Sequence, residues 1–232
     1  MSTLGPVSTS MSRGEPHQYQ HVIDTRQVIS SSQFDIMNKF GFKMQQPTQP
    51  SDKSFELGES LILPRAPGLG PEISRDAIAV TTVPRLPEFS SKDLFHVIKF
   101  SVNGMPGPYI HELARGTIRI DGANDRVFEA FGWKTIKFQI SWPGFEFKGR
   151  RLNVRDMNGE PMRRDELASI IASQIYQFLS DVQNGKITQG TMIVNGRVSK
   201  SWDIKKISIA HLRLLGMNYY RSDWVPVLAL DN

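Results

Sequence analysis

The chain has 232 residues, enough for one domain of ordinary size plus an arm, or for two small domains. Its hydrophobic fraction of 39% is low while its charged fraction of 22% is ordinary, the composition of a normal core diluted by a polar, Pro-rich segment. There is no cysteine, which excludes disulfides, thiolate nucleophiles and Cys-based zinc sites, and the net charge of +5 is mild.

The first residues lack the charged start and apolar run of a secretory signal, and no stretch approaches the ~18 apolar residues that span a bilayer. A soluble intracellular protein, cytoplasmic or nuclear and without membrane contact, is expected. Residues 1 to about 20 are Ser, Thr, Gly, Gln and Pro and cannot offset their ordering entropy, so disorder is expected there. Ser31 or Ser32 would cap a short helix over 31–40, with Phe34, Met37 and Phe40 on one side and Gly41 as its stop. That arm, residues 1–46, would dock on the chain's own core, fold into a partner's groove or stay disordered.

From Pro47 to Pro108 lie nine of the 14 prolines. Residues 47–89 read as extended chain, with edge strands at Leu61–Leu63 and Ile78–Val83 as an alternative. Lys92 to Phe100, after Ser90 and Ser91, reads as a strand apolar on both sides. Tyr109 to Ala114 suits a short helix stopped near Gly116, and Phe128 to Phe131 a helical turn ended by Gly132.

The most ordered pattern follows. Ile136, Phe138, Ile140 and Trp142 alternate with Thr135, Lys137, Gln139 and Ser141, a strand with one buried and one wet face. Pro143-Gly144 ends it, and Arg150 to Arg155 supplies an antiparallel partner. Pro161 suits the first position of a helix whose Leu167, Ile170, Ile171, Ile175, Phe178, Leu179 and Val182 follow the 3.6 period. Asn195-Gly196 marks a two-residue hairpin. Ile207-Ser208-Ile209 alternates, a bulge is expected near Ala210, and Trp224 to Leu230 reads as a last strand, placed at an edge by Pro226. The expectation is an α+β domain over 90–232: a mainly antiparallel sheet of four to six strands with one long helix packed on a face, β-grasp-like as an alternative.

The run from Asn103 to about Gln183 resembles a family of proteins from mushroom-forming (basidiomycete) fungi. The resemblance rests on the turn Gly122-Ala123-Asn124-Asp125, on Trp142-Pro143-Gly144-Phe145 and on the helix start Glu160-Pro161-Met162-Arg163-Arg164, where Arg163 replaces the usual threonine. It implies fold and an intracellular fungal origin, and no activity.

No catalytic constellation is legible. His111-Glu112 lacks the second histidine of a zinc-protease helix, and Asp121 to Asp125 lacks the ligand alternation of a calcium loop. No catalytic residue, metal or cofactor is therefore assigned; for an enzyme with dispersed residues, Asp121, Asp125 and His111 would be the candidates. Charge offers more. Lys134 to Lys206 holds 13 Lys and Arg against seven Asp and Glu. Lys148, Arg150, Arg151, Arg155, Arg163 and Arg164 would hold phosphate if they converged, with Phe145 and Phe147 as an aromatic rim. The plain alternative is a solvated face. The first functional expectation is a non-enzymatic protein-interaction or structural module whose partner is protein, self or other; binding of nucleic acid or another polyanion is the second.

Overall fold

The computed structural model describes Lys39 and residues 49–64, 77–89, 93–147 and 149–232. The arm helix expected at 31–40 lies outside these except for Lys39, which is helical and whose Nζ reaches Glu166 at 3.0 Å and Asp156 at 3.6 Å.

In chain order the strands are β1 (Gln49–Pro50), β2 (Ser54–Phe55), β3 (Ser60–Leu63), β4 (Ile78–Thr82), β5 (Leu94–Lys99), β6 (Ser101–Val102) and β7 (Met105–Pro106). Helix α1 (Ile110–Arg115) precedes β8 (Thr135–Phe138), β9 (Phe145–Glu146) and β10 (Arg150–Asn153). The long helix α2 (Arg164–Gln183) leads to β11 (Ile193–Val194), β12 (Arg197–Val198), β13 (Leu212–Tyr220) and β14 (Asp223–Asp231). The fold is mixed α+β, with mostly antiparallel pairing and one long helix.

The principal sheet has seven strands, in the order β10-β8-β14-β13-β5, with β4 also on β14 and β3 on β4. Strand β14 is thus central, which corrects the edge position read from Pro226. The reason is local. The carbonyls of Trp224 and Leu228 accept from Gln139 N (3.0 Å) and Val83 N (2.8 Å), so residues 224, 226 and 228 turn their backbone polar groups to the same edge. Strand β8 occupies that edge at Asp223 and Trp224, and β4 at Ala229 to Asp231. Pro226 falls in the gap between them, where no donor is required.

Register sorts the two faces. Ile98, Met217, Trp224, Phe138 and Ile136 share one face and join a single buried cluster with Leu167, Ile170, Ile171, Ile175, Phe178, Leu179 and Val182 of α2. Phe55, Val83, Leu86 and Phe89 belong to the same cluster, so the packed unit includes the stretch that composition marks as Pro-rich extended chain. The opposite face carries Val97, Lys99, Asn218, Tyr220, Val225 and Val227 and has no helix among the described residues; the expectation of a β5 apolar on both sides fails there, because Val97 is exposed beside Lys99.

Two turns fix the start of α2 and the end of β8. The helix begins at Arg164, not at Pro161, which instead bridges Arg155. Its first amides donate to the Asp121–Asp125 turn: Arg164 N to Asp125 O (2.9 Å) and Asp165 N to Ala123 O (3.1 Å). Glu166 adds its carboxylate to the Arg163 backbone N–H at 3.1 Å; arginine has no acceptor to return the bond. Gly122, at φ 62°, leaves room for the Asp125 carboxylate, where a Cβ would collide.

Strand β8 ends at Phe138, and Gln139 and Ser141, expected on a wet face, are buried. Gln139 keeps its backbone bond to Trp224, and Ser141 seals against another segment: Leu86 N donates to Ser141 Oγ at 3.4 Å. Trp142 to Phe145 then turns with Pro143 and Gly144 (φ 84°) in the positions a type II turn requires, and Phe145 N donates to Trp142 O at 3.1 Å. Gly144 O accepts from Ser51 N (3.1 Å) and Gly190 N (2.9 Å), tying three segments together.

The Asn195-Gly196 hairpin forms as expected. Ile207 to Ile209 is not a strand; two 3-10 turns span Ile204–Lys206 and Ile209–His211, and Asp203 opens the first by accepting from Lys205 N at 3.1 Å. The bulge lies at Leu215, within β13 rather than before it.

Candidate functional site

A cleft of about 440 Å³ opens on the helix-free face of the sheet. That volume lies in the ~300–1,000 Å³ range of binding clefts. It exists because β4 pairs with β14 while β3, continuing the sheet beyond β4, lies across the cleft from β5. Gly58 permits the approach, since a Cβ there would overlap the Thr82 carbonyl. Leu57, Leu61 and Leu63 form one wall, Leu94 and Val97 the other, and Val225, Val227 and Leu215 the floor. Among the described residues, β3 and β5 each pair along one edge only.

The polar groups gather at one end. Arg85 Nη1 donates to the Tyr220 hydroxyl at 3.0 Å, and Asn218 Nδ2 donates to the same oxygen at 2.8 Å. Arg85 Nη2 donates to Glu59 Oε1 at 3.1 Å. Ser141 lines the same cleft, and Lys99 stands toward the other end, paired in register with Gly216. Glu59 is the one carboxylate among the residues lining the cleft, against two cations.

The residues expected to bind polyanions occupy another region and do not converge. Arg150 and Arg151 lie on β10, an outer strand of the principal sheet. Arg155 donates to Trp133 O (3.2 Å) and Gly159 O (2.7 Å). Arg163 pairs with Asp165 at 3.2 Å, and Arg164 with Asp125 at 3.1 Å and Lys99 O at 2.8 Å. Lys148 lies outside the described residues. Phe145 and Phe147, expected as an exposed rim, are 1% and 9% exposed. Their rings meet the Phe178 ring edge-on at 4.9 and 5.1 Å, so the Trp-Pro-Gly-Phe turn delivers them to the core.

The three residues weighed as dispersed catalysts are also apart from the cleft. Asp121 accepts from Gly104 N (2.8 Å) and Asn103 N (2.9 Å); the Gly104 bond first, with Ser101 and Asn103, holds its carboxyl below the ordinary range. Its work is to pin the β6–β7 hairpin. Asp125 serves the start of α2. Burial lowers the His111 pKa, and its Nδ1 has no partner among the described residues. No group of three or more His, Cys, Asp or Glu able to hold a metal occurs among the described residues.

A second polar cluster is buried behind β13. Arg213 Nε donates to Asp231 Oδ1 at 2.5 Å, Nη1 to Gly107 O at 3.0 Å, and Nη2 to the Tyr109 hydroxyl. The Tyr109 hydroxyl donates to Asp231 Oδ2 at 2.9 Å, and burial, with that bond, raises its pKa. Every member is satisfied, and the cluster locks the chain before α1 to the last strands.

None of the cleft's polar residues stood out in the sequence. They come from five separate stretches, around residues 57–63, 82–85, 94–99, 141 and 215–228, and no spacing links them. No helix among the described residues is long and apolar enough to cross a membrane. No family model, no curated protein and no solved structure matches the chain.

Proposed function

We propose that the chain is a non-enzymatic, intracellular protein-interaction module that works through the helix-free face of its sheet. The observation that carries this reading is the cleft between β3 and β5 together with the apolar side chains around it. Leu57 on one wall is 70% exposed, and Val97 on the other is 38% exposed. Large apolar side chains left in water at the mouth of a cleft are the usual mark of a binding surface. Among the described residues both bordering strands pair along one edge only, and an extended segment can add to the other. The test is cross-linking mass spectrometry on the full chain in host extract, beside the variants Val97→Asp and Leu57→Asp. Cross-links from Lys99 to one partner, or to a second copy, that vanish in both variants support the reading. Cross-links unchanged by the variants, or none at all, overturn it.

Polyanion binding through the arginines is the second reading. Arg151, exposed on β10 beside Lys137, is the observation in its favour, and the internal pairing of Arg155, Arg163 and Arg164 counts against it. A nucleic-acid affinity independent of salt, or unchanged in the triple variant Arg150→Ala, Arg151→Ala and Arg163→Ala, eliminates it.

Kinship with the mushroom-fungal family and a β-grasp-like arrangement belong to the same proposal. In support, the residues of the resemblance have structural work: the Gly122–Asp125 turn receives the first amides of α2, and the Trp142–Phe145 turn joins three segments. The hairpin β8–β10, the helix, and β14 running parallel to β8 follow the order that arrangement requires.

A further inference from the structure

We infer that the segment bound in the cleft is an extended peptide stretch carrying a carboxylate, which pairs with Arg85 beside Tyr220. The inference rests on the interaction reading above and names the chemistry of the partner.

The first ground is the direction of the polar groups. The Tyr220 oxygen already accepts from Arg85 and from Asn218, so its own proton must be given away. No described residue accepts it. Tyr220 is 3% exposed, so the hydroxyl is held in place and does not simply face bulk water. Arg85 brings five N–H donors, of which the structure commits one to Tyr220 and one to Glu59. Ser141 Oγ accepts from Leu86 N and has its proton to donate as well. This end of the cleft is thus rich in donors and poor in acceptors, and a carboxylate fits it.

The second ground is charge. Arg85 and Lys99 line the cleft against Glu59 alone. Lys99 has no ion pair among the described residues. Glu59 holds Arg85 from the solvent side, with its side chain 63% exposed. It therefore acts as an exchangeable stand-in, which an incoming carboxylate displaces at little cost in solvation.

The third ground concerns the shape of the occupant. The apolar walls belong to two strands that pair along one edge only among the described residues, and alternate residues of each wall point inward: Leu61 and Leu63 from β3, Val97 and Lys99 from β5. An added strand presents its own side chains with the same period of two, so it seats apolar residues between the walls while its backbone pairs at an edge.

The experiment is selection of a phage-displayed random nonapeptide library on the immobilised full chain, followed by affinity measurement of enriched peptides. We expect alternating apolar residues with one Asp or Glu at a constant offset. Arg85→Gln should lower affinity by about tenfold to a hundredfold, the range for loss of a charge-assisted bond. Glu59→Gln, at an exposed site that leaves folding intact, should raise it severalfold, and Tyr220→Phe should lower it. Enriched peptides without an acidic residue, or a Glu59→Gln variant that binds more weakly, overturn the carboxylate while leaving the interaction face standing. Unchanged binding in a folded Arg85→Gln variant does the same. If no peptide is enriched, the interaction reading falls with it. Binding of decanoate at Arg85 with no peptide enriched overturns the extended segment as occupant.

Discussion

Replacing Phe178 by alanine separates a core role for the Trp-Pro-Gly-Phe turn from a surface role. Phe178 is buried on α2, and the rings of Phe145 and Phe147 meet it edge-on at 4.9 and 5.1 Å. Truncating a buried phenylalanine costs about 3–5 kcal/mol, the lost transfer energy plus the cavity. Two aromatic partners lose their edge contacts at once, which places this site near the middle of that range or above, at about 4 kcal/mol. With a urea slope of about 2 kcal/mol per molar, the unfolding midpoint should fall by about 2 M. The assay is urea unfolding of the full chain, followed by circular dichroism and by tryptophan fluorescence, whose coincidence establishes a single transition. A double-mutant cycle with Phe145→Ala should add a coupling of about 0.5–1.5 kcal/mol. A loss below about 1 kcal/mol with no coupling would refute the reasoning, and would return Phe145 and Phe147 to the surface as stacking groups.

Further outcomes follow from the same geometry. Asp231→Asn leaves the buried guanidinium of Arg213 without its counter-ion and should cost about 3 kcal/mol, the lower end for a broken buried pair because Asp231 keeps some exposure. Thermal unfolding measures it, and an Arg213→Met, Asp231→Leu double variant should recover part of the loss. Burial lowers the His111 pKa below its ordinary 6.5, so the unfolded chain binds the proton more tightly. The stability associated with His111 is complete above that value and is lost as pH falls through the folded pKa; unfolding at pH 7 and pH 5.5 should show a smaller difference in His111→Gln. Gly216→Ala would drive a Cβ into the Ile98 carbonyl on β5 and should destabilise by about 1–3 kcal/mol, whereas Gly159→Ala meets no atom and is opposed only by its φ of 78°. Chemical denaturation ranks the two, and equal losses would contradict the β13–β5 register.

Much of the fold was legible wherever one element decided its own structure. The α2 stripe, the β8–β10 hairpin, the Asn195-Gly196 turn and the helix stops at Gly116 and Gly132 all follow from local periodicity and from glycine's access to positive φ. Reading failed where distant segments decided. Pro226 argues for an edge on its own, and only the gap between β8 and β4 makes it harmless in the centre of a sheet. Gln139 and Ser141 look wet by alternation, yet segments distant in sequence cover them and both are buried. Phe145 and Phe147 stand beside arginines in sequence, but the turn before them points the rings at α2. The cleft was illegible for the same reason: Arg85, Asn218 and Tyr220 meet only after β4 and β5 have closed on β13 and β14.

Hydrogen–deuterium exchange of the full chain, with and without a peptide selected on it, tests the central claim most directly. Strand addition beside the cleft should slow exchange in Ser60–Leu63 or Leu94–Lys99, whose outer edges have no partner among the described residues, and leave Arg150–Asn153 unchanged. Slowing confined to Arg150–Asn153, or no slowing in either bordering strand, would contradict the account.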